Sequence, residues 1–235
     1  MKLIKKIIYS IILLMSFMAL TACGKKQKSR EEKFEEKYDI EINNASDENL
    51  DSLEKWFSKL PEGFIAEIRK YQKQNNRTLT ITFTDDTSEY NFDINKGDNW
   101  YINTNKKTDA QFSYCLVYTI FFEVANREKD LNFCREWDYY NPDNFSYGKG
   151  EQYKEYVFDK DNYENAYFVS TEAMKEKLED AASIFIVLML PEFENDEKLK
   201  EIPKIYLKAK YLCDEIYRVY DSVDGKAYWN RCFDW

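Results

Sequence analysis

The sequence contains no histidine, and this absence excludes more chemistry than any other feature of its composition. A Ser-His-Asp triad, a Cys-His pair and an HExxH zinc site each require an imidazole, so this chain cannot build any of them. Glycine (6 residues) and proline (4 residues) are also scarce among 235 residues, which excludes collagen-like and Pro/Gly-rich disordered chains. Most familiar hydrolase mechanisms are therefore excluded before any motif is considered.

The charge balance excludes a class of partner. Lys and Arg number 34 against 43 Asp and Glu, which gives a formal net charge of −9. A general nucleic-acid-binding protein presents a basic surface, so we predict that this chain binds no nucleic acid. Aromatic residues make up 17% of the sequence, too many for a chain that stays unfolded. The length suits one medium-sized domain with a tail.

The first residues have the features of an export signal. Residues 1–6 carry three lysines and no acid, an apolar run extends from Ile7 to Leu20, and small residues lead into Cys23. This pattern is typical of a secretory signal, and the apolar run is short for a membrane span. The sequence Leu-Thr-Ala-Cys resembles the bacterial lipobox, which implies a signal peptide over residues 1–22 and a diacylglyceryl lipid on Cys23. The protein would then be anchored at the extracytoplasmic face of the cell membrane. An ordinary signal peptide with a chance cysteine is the alternative.

Residues 23–44 are highly charged, and we interpret them as a tether that separates a domain of residues 45–235 from the membrane. The first turn of a helix is the alternative for this stretch.

Apart from Cys23, the exported part contains four cysteines, and an exported protein is permitted disulfides. Four cysteines allow three pairings, and the sequence does not choose between them. These residues are Cys115, Cys134, Cys213 and Cys232.

Hydrophobic periodicity predicts helices first and strands next. Amphipathic helices are expected on either side of Pro61, because apolar residues recur there at helical spacing. Strict alternation from Thr78 to Thr84 predicts a half-buried strand, and shorter alternating stretches follow at Tyr90–Ile94 and Trp100–Ile102. Turn residues separate the three strands, so we predict a small antiparallel meander.

Two nearly continuous apolar helices are predicted after the strands, over Asp109–Arg127 and about Thr171–Leu190. Helices that are apolar on all sides belong at the centre of a domain. A closing amphipathic helix from Ile205 to about Tyr220 completes the order, and helices, strands and helices in succession indicate the α+β class. An aromatic connector, residues 132–167, joins the two central helices. It either exposes rings such as Trp137 and Tyr147 for ligand binding or simply packs as a long irregular segment.

Each central helix carries a carboxylate in apolar surroundings, Glu123 in the first and Glu179 in the second. A buried ionised glutamate is unfavourable unless it is paired or bound to a metal, so both are candidate site residues. The alternative is that they bond to the backbone or to tyrosine hydroxyls, or point outward.

Several short motifs occur in a fixed order along the chain. They are Leu60-Pro61-Glu62-Gly63, Trp137 with Asn141-Pro142, Phe145 and Tyr147-Gly148, Phe168-Val169-Ser170, Glu179-Asp180-Ala181-Ala182 and Lys208-Ala209-Lys210-Tyr211. In this order they resemble the zincin-like metallopeptidase lipoproteins of Gram-positive bacteria, a family distantly related to the catalytic domain of anthrax lethal factor. The resemblance spans residues 60 to about 220 and implies a zincin-like fold.

In such enzymes one helix carries HExxH, whose histidines bind zinc and whose glutamate activates the metal-bound water. A glutamate on a later helix is the third ligand. The resemblance puts Glu123 at the HExxH glutamate and Glu179 at the third ligand. Phe122 and Asn126 occupy the two histidine positions.

The resemblance therefore implies a fold that has lost its zinc chemistry. Ser183 stands where relatives often have an acid, and Glu172 where they often have a tyrosine. We predict no metal, no cofactor and no peptidase activity, with Glu123 and Glu172 as vestigial catalytic positions. A peptide or protein would bind in the old cleft, at Phe122, Asn126, Glu179, Ser183, Trp137 and Tyr147. The alternative is an active hydrolase, either a metallopeptidase with atypical ligands or a glycosidase that uses carboxylates.

Overall fold

A computed structural model of the protein describes residues 28–74, 76–84, 99–103, 117–118, 120–122, 124–125, 134–189 and 199–233. The chain divides into two compact units, Met1–Lys37 and Tyr38–Trp235. Cys23, Cys115, Glu123, Asn126 and the predicted signal peptide lie outside the described residues.

Mostly helical elements make up the described part. The helices are α1 (Arg30–Tyr38), α2 (Asp47–Phe57), α3 (Phe64–Gln74), α4 (Lys177–Met189) and α5 (Pro203–Val219), and the strands are β1 (Glu41–Asn43), β2 (Thr80–Thr84) and β3 (Asn99–Asn103). Short 3₁₀ helices cover Trp137–Tyr140, Gly150–Tyr156, Glu172–Met174 and Tyr228–Asn230. Helices combined with a small sheet agree with the predicted α+β class. Within the described ranges, no helix is both long enough and apolar enough to cross a membrane.

The helices on either side of Pro61 form as predicted. Ser46 caps α2, because its side chain accepts a hydrogen bond from the Asn49 amide while the Asn49 side chain bonds back to the Ser46 amide. The apolar faces of α2 and α3 are buried, including Trp56 and Phe64. The predicted tether, in contrast, is not a tether throughout. Residues 30–38 are helical, and β1 pairs with β2, so the second unit already includes residues 41–43.

The sheet has the order β1-β2-β3 with both neighbouring pairs parallel, so the predicted antiparallel meander is wrong. Ile42 lies opposite Ile81, which in turn lies opposite Trp100. Parallel neighbours need a long connection, and α2 and α3 supply it between β1 and β2. Residues 85–98, which connect β2 to β3 and include the predicted strand Tyr90–Ile94, lie outside the described residues. The alternation at 78–84 identified the buried side chains, Leu79, Ile81 and Phe83, but alternation carries no information on strand direction.

Helix α4 lies in the core, and its residues from Asp180 to Met189 are buried except Ser183. Its Phe185 ring lies 5.5 Å from Phe121 and 5.6 Å from Trp229. The helix begins at Lys177, later than predicted, because residues 172–174 form a separate 3₁₀ turn. The closing helix α5 agrees with its prediction to within two residues at its start.

Candidate functional site

Helix α4 presents two adjacent acids, Glu179 and Asp180, to different surroundings. Neighbouring helix residues point about 100° apart, because the helix has 3.6 residues per turn. Glu179 is half-buried and contacts Tyr118 in the segment 117–125, whose described residues are helical. Asp180 is fully buried among residues of the aromatic connector and α5. The two acids define two sides of α4, which we call the Glu179 side and the Asp180 side.

On the Glu179 side, the carboxylate is held by a tyrosine. The Tyr118 hydroxyl donates to Glu179 Oε1 at 2.5 Å, and the Tyr118 ring lies 4.6 Å from the Phe122 ring. Together with the Phe121–Phe185 contact, these interactions bring Tyr118 and Phe121 against α4, as expected if the two apolar helices are neighbours, while Glu123 itself lies outside the described residues. The tyrosine hydroxyl is one of the alternatives that the sequence left open for this acid.

Two further predicted positions are Ser183 and Glu172. Ser183 lies one turn after Glu179, is half-buried, and donates its hydroxyl to the Asp180 carbonyl at 2.8 Å. Glu172 is exposed and accepts a hydrogen bond from the Thr171 hydroxyl at 3.0 Å. A hydrogen bond from its own backbone N–H lowers the pKa of the Glu172 carboxyl, which therefore stays ionised at neutral pH.

On the Asp180 side, three donors converge on one carboxylate oxygen. Lys208 Nζ lies 2.7 Å from Asp180 Oδ2, while Trp137 Nε1 and the Tyr147 hydroxyl each lie 2.8 Å from it. The side chains of Asp180 and Lys208 are both 0% exposed. The Lys208 ammonium also lies 4.0 Å above the Phe168 ring, a cation–π contact that compensates part of its lost hydration.

Desolvation dominates the electrostatics of this cluster. Burial raises the pKa of Asp180 and lowers that of Lys208, and the two opposite charges counteract these shifts. Burial, and then the Asp180 charge, raise the pKa of Tyr147, so its hydroxyl keeps the proton that it donates. A buried ion pair tolerates removal of neither partner, because the remaining charge would be buried alone. The cluster therefore joins the aromatic connector, α4 and α5 at a fixed geometry.

The aromatic connector packs more than it exposes. Trp137 is fully buried, so its predicted role as an exposed binding residue is wrong. Tyr147 is half-buried and accepts a hydrogen bond from the Asn141 amide at 3.0 Å, while Tyr140 stacks on Tyr211 with ring centroids 4.9 Å apart. Tyr139, in contrast, is 84% exposed. The sequence alone did not predict which of these aromatic side chains would be buried beside the Asp180–Lys208 ion pair and which would be exposed.

Sequence reasoning missed the ion pair, although both members lie in motifs that it singled out. Lys208 shares the buried face of α5 with Ile205 and Leu212, at the spacing of one helical turn. A lysine on an apolar helix face requires an anionic partner. Lys208 on the apolar face of α5, together with Asp180 next to the small apolar residues Ala181 and Ala182, could have predicted a buried ion pair from the sequence.

The described ranges contain no group of three or more His, Cys, Asp or Glu side chains placed to hold a metal ion. A separate open cleft of about 520 Å³ lies between α3 and the turn after α5. Glu67 forms part of its wall and accepts hydrogen bonds from the Ser222 amide at 3.0 Å, the Ser222 hydroxyl at 2.7 Å and the Asp221 amide at 3.2 Å. Its carboxylate thus joins α3 to the turn after α5.

Comparison of the chain with known proteins was negative at every level. The resemblance to zincin-like lipoproteins accordingly rests on the short sequence motifs alone. No family model, no curated protein and no solved structure matches the chain.

Proposed function

We propose that this protein is a lipid-anchored extracytoplasmic lipoprotein whose zincin-like domain binds a peptide or protein and hydrolyses nothing. The observation that carries the proposal is the environment of Glu179, the position of the third zinc ligand. Its carboxylate accepts a hydrogen bond from Tyr118, and the Tyr118 ring packs on Phe122, the residue at the first histidine position. A tyrosine hydroxyl thus bonds the acid that a metallopeptidase would use for its metal.

The chemistry of the remaining residues supports the same conclusion. Catalytic zinc needs about three protein ligands and one open position. Phe122 has no lone pair, an asparagine amide is a weak zinc ligand, and the sequence offers no histidine. Without the ion, Glu123 has no acidified water to deprotonate.

The Glu179 side has the composition of a recognition surface. The half-buried rings of Tyr118 and Phe122 pack together, and Tyr118 contacts the Glu179 carboxylate on α4. Binding sites commonly combine apolar lining with a few fixed polar groups. The buried ion pair on the Asp180 side of α4 holds that helix in place, and such preorganisation reduces the free energy lost on binding.

Metal analysis beside a broad peptidase assay on the purified full chain tests the absence of zinc chemistry. We expect substoichiometric zinc and no EDTA-sensitive cleavage. Stoichiometric zinc or EDTA-sensitive proteolysis would overturn the proposal in favour of an active hydrolase.

Mass spectrometry of the mature N-terminus tests the anchor, with Cys23→Ser as the control that should leave the membrane fraction. Cleavage at another bond would remove the lipoprotein half of the proposal.

A converse test restores the missing ligands with Phe122→His and Asn126→His. If the zincin frame is present, the double variant binds zinc more tightly than the parent, and adding Glu179→Gln reverses part of the gain. The matched control is Lys210→His with Asp214→His, which puts two histidines at the same spacing on the exposed face of α5. An equal gain in both pairs, insensitive to Glu179→Gln, would contradict the zincin-like frame.

A further inference from the structure

Two cysteine sulfurs lie against the same backbone oxygen near the end of the second unit. Cys213 Sγ, on α5, and Cys232 Sγ, just after the 3₁₀ helix Tyr228–Asn230, are each 3.8 Å from the Trp229 carbonyl oxygen. The separation of the two sulfurs therefore cannot exceed twice 3.8 Å. Both residues are buried, and the structure has them in the thiol form.

Buried packing around Trp229 holds its carbonyl oxygen close to both cysteine sulfurs. Trp229, whose carbonyl oxygen both sulfurs approach, is fully buried, and its ring packs 5.5 Å from Phe64 and 5.6 Å from Phe185. Burial raises the pKa of the Cys213 thiol, and the next largest cause is the neighbouring Cys232. The backbone amide of Cys134 donates to Glu215 on α5 at 3.0 Å. Burial and then the Glu215 charge raise the pKa of the Cys134 thiol, and no described cysteine is among the groups that shift it, in contrast to Cys213.

We propose that Cys213 and Cys232 form a disulfide in the mature protein. The sequence alone allowed three pairings, and the shared Trp229 carbonyl selects one partner for Cys213. A disulfide brings its sulfurs to about 2 Å, so both thiols give up their weak bonds to the carbonyl as they turn toward each other. The proposal rests on the proposed export, because the extracytoplasmic space is where structural disulfides persist.

The reaction needs a disulfide oxidant, either a thiol–disulfide oxidoreductase or oxidised glutathione. The thiolate of one cysteine attacks the oxidant and gives a mixed disulfide with release of one oxidant thiol. The second thiolate then attacks the mixed disulfide, which forms the Cys213–Cys232 bond and releases the other oxidant thiol. The protein loses two protons and two electrons, and the oxidant gains them. Because burial keeps Cys213 protonated, the folded reduced protein should react slowly, and oxidation belongs to the folding stage.

Peptide mapping without reduction tests the pairing directly. One sample of the full chain is purified from membranes without reductant, and a second is reduced, unfolded and refolded with a mixture of reduced and oxidised glutathione. After alkylation, trypsin cuts at Lys210, Arg218 and Arg231, so the two cysteines lie in separate peptides, residues 211–218 and 232–235. We expect one linked species, two hydrogen masses below the sum of these peptides, in both samples.

The variants make each outcome decisive. Cys213→Ser and Cys232→Ser should each abolish the linked species and leave the other cysteine alkylated, whereas Cys134→Ser should preserve it. Separate alkylation of both cysteines in the refolded sample, or a link to Cys115 or Cys134, overturns the disulfide. A link in the refolded sample but not in the membrane sample leaves the pairing geometry intact and contradicts the proposed export. The failures of the two proposals are therefore distinguishable.

Discussion

The two adjacent acids of α4, Glu179 and Asp180, differ in burial and in the charge of their partners. Asp180 is fully buried and receives three donors on one oxygen, one of them the buried ammonium of Lys208. Glu179 is half-buried and bonded to one tyrosine hydroxyl. An acid with a buried counter-charge cannot change partners without exposing an uncompensated charge, whereas an acid held by a neutral hydroxyl at a partly exposed position can. The comparison teaches that the proposed binding residue Glu179 and the buried ion pair that holds the fold are one residue apart.

The largest expected effect comes from breaking the ion pair. Asp180→Asn or Lys208→Met should each lower the free energy of unfolding by about 3–5 kcal/mol, because one charge stays buried alone. The double variant should be less destabilised than the sum of the two, since it removes both charges. Urea unfolding monitored by tryptophan fluorescence measures all three. Glu179→Gln is the matched control and should change stability by less than about 1 kcal/mol. A control as destabilised as Asp180→Asn would erase the distinction between the two sides.

A smaller effect should separate the two tyrosines that donate to these acids. Tyr147→Phe removes a hydrogen bond to a buried charged group and should destabilise by about 1.5–3 kcal/mol. Tyr118→Phe removes a bond to a half-buried acid, so its effect should stay near or below about 1 kcal/mol. The same urea titration, with both variants prepared in parallel, gives the difference. Equal values would mean that Glu179 is held as firmly as Asp180.

The smallest effect is a pH dependence at the edge of the cluster. Burial raises the pKa of Tyr211 from 10.0 to about 12, and its hydroxyl accepts a hydrogen bond from the Glu136 amide at 3.0 Å. The folded state thus keeps the phenol proton where the unfolded chain has released it. Its contribution to stability is fully present below pH 10 and lost as the pH rises to about 12. The stability difference between the parent and Tyr211→Phe should therefore shrink across that window, by less than about 1 kcal/mol because Tyr211 is partly exposed. A stability difference between the parent and Tyr211→Phe that stays constant from pH 10 to about 12 would contradict the raised pKa of Tyr211.

Local features of the fold were predictable because local physics decides them. Pro61 separates two amphipathic helices, Leu79, Ile81 and Phe83 mark the buried side of β2, and the apolar spacing of α5 predicts its extent. Strand direction was not predictable, because it depends on how the connection runs rather than on which side chains are buried. The parallel pairing of β1 with β2 agrees with the passage of the chain through α2 and α3 between these strands.

The candidate site was predictable only in part. The meeting of Glu179 with the segment 117–125 followed from two apolar helices that had to share a core. The Asp180–Lys208 pair was missed, because the apolar face of α5 indicates that Lys208 needs an anionic partner but does not say which acid, 28 positions away, supplies it. Trp137 was misjudged for the same reason, since its burial depends on the acceptor that Asp180 provides for its indole N–H.

The carboxylate of Glu67 has a consequence for how the chain folds. It binds the amides of residues 221 and 222, and Phe64 on the same helix packs on the rings of Tyr220 and Trp229, 4.9 and 5.5 Å away. These contacts span about 155 residues of chain, and contacts of such sequence separation slow folding because a large loop must close before they form. During synthesis, α3 emerges long before its partners exist. The N-terminal end of α3 therefore gains these contacts only once the last residues of the unit are present, and removal of residues 220–233 should leave it without the neighbours that bury it.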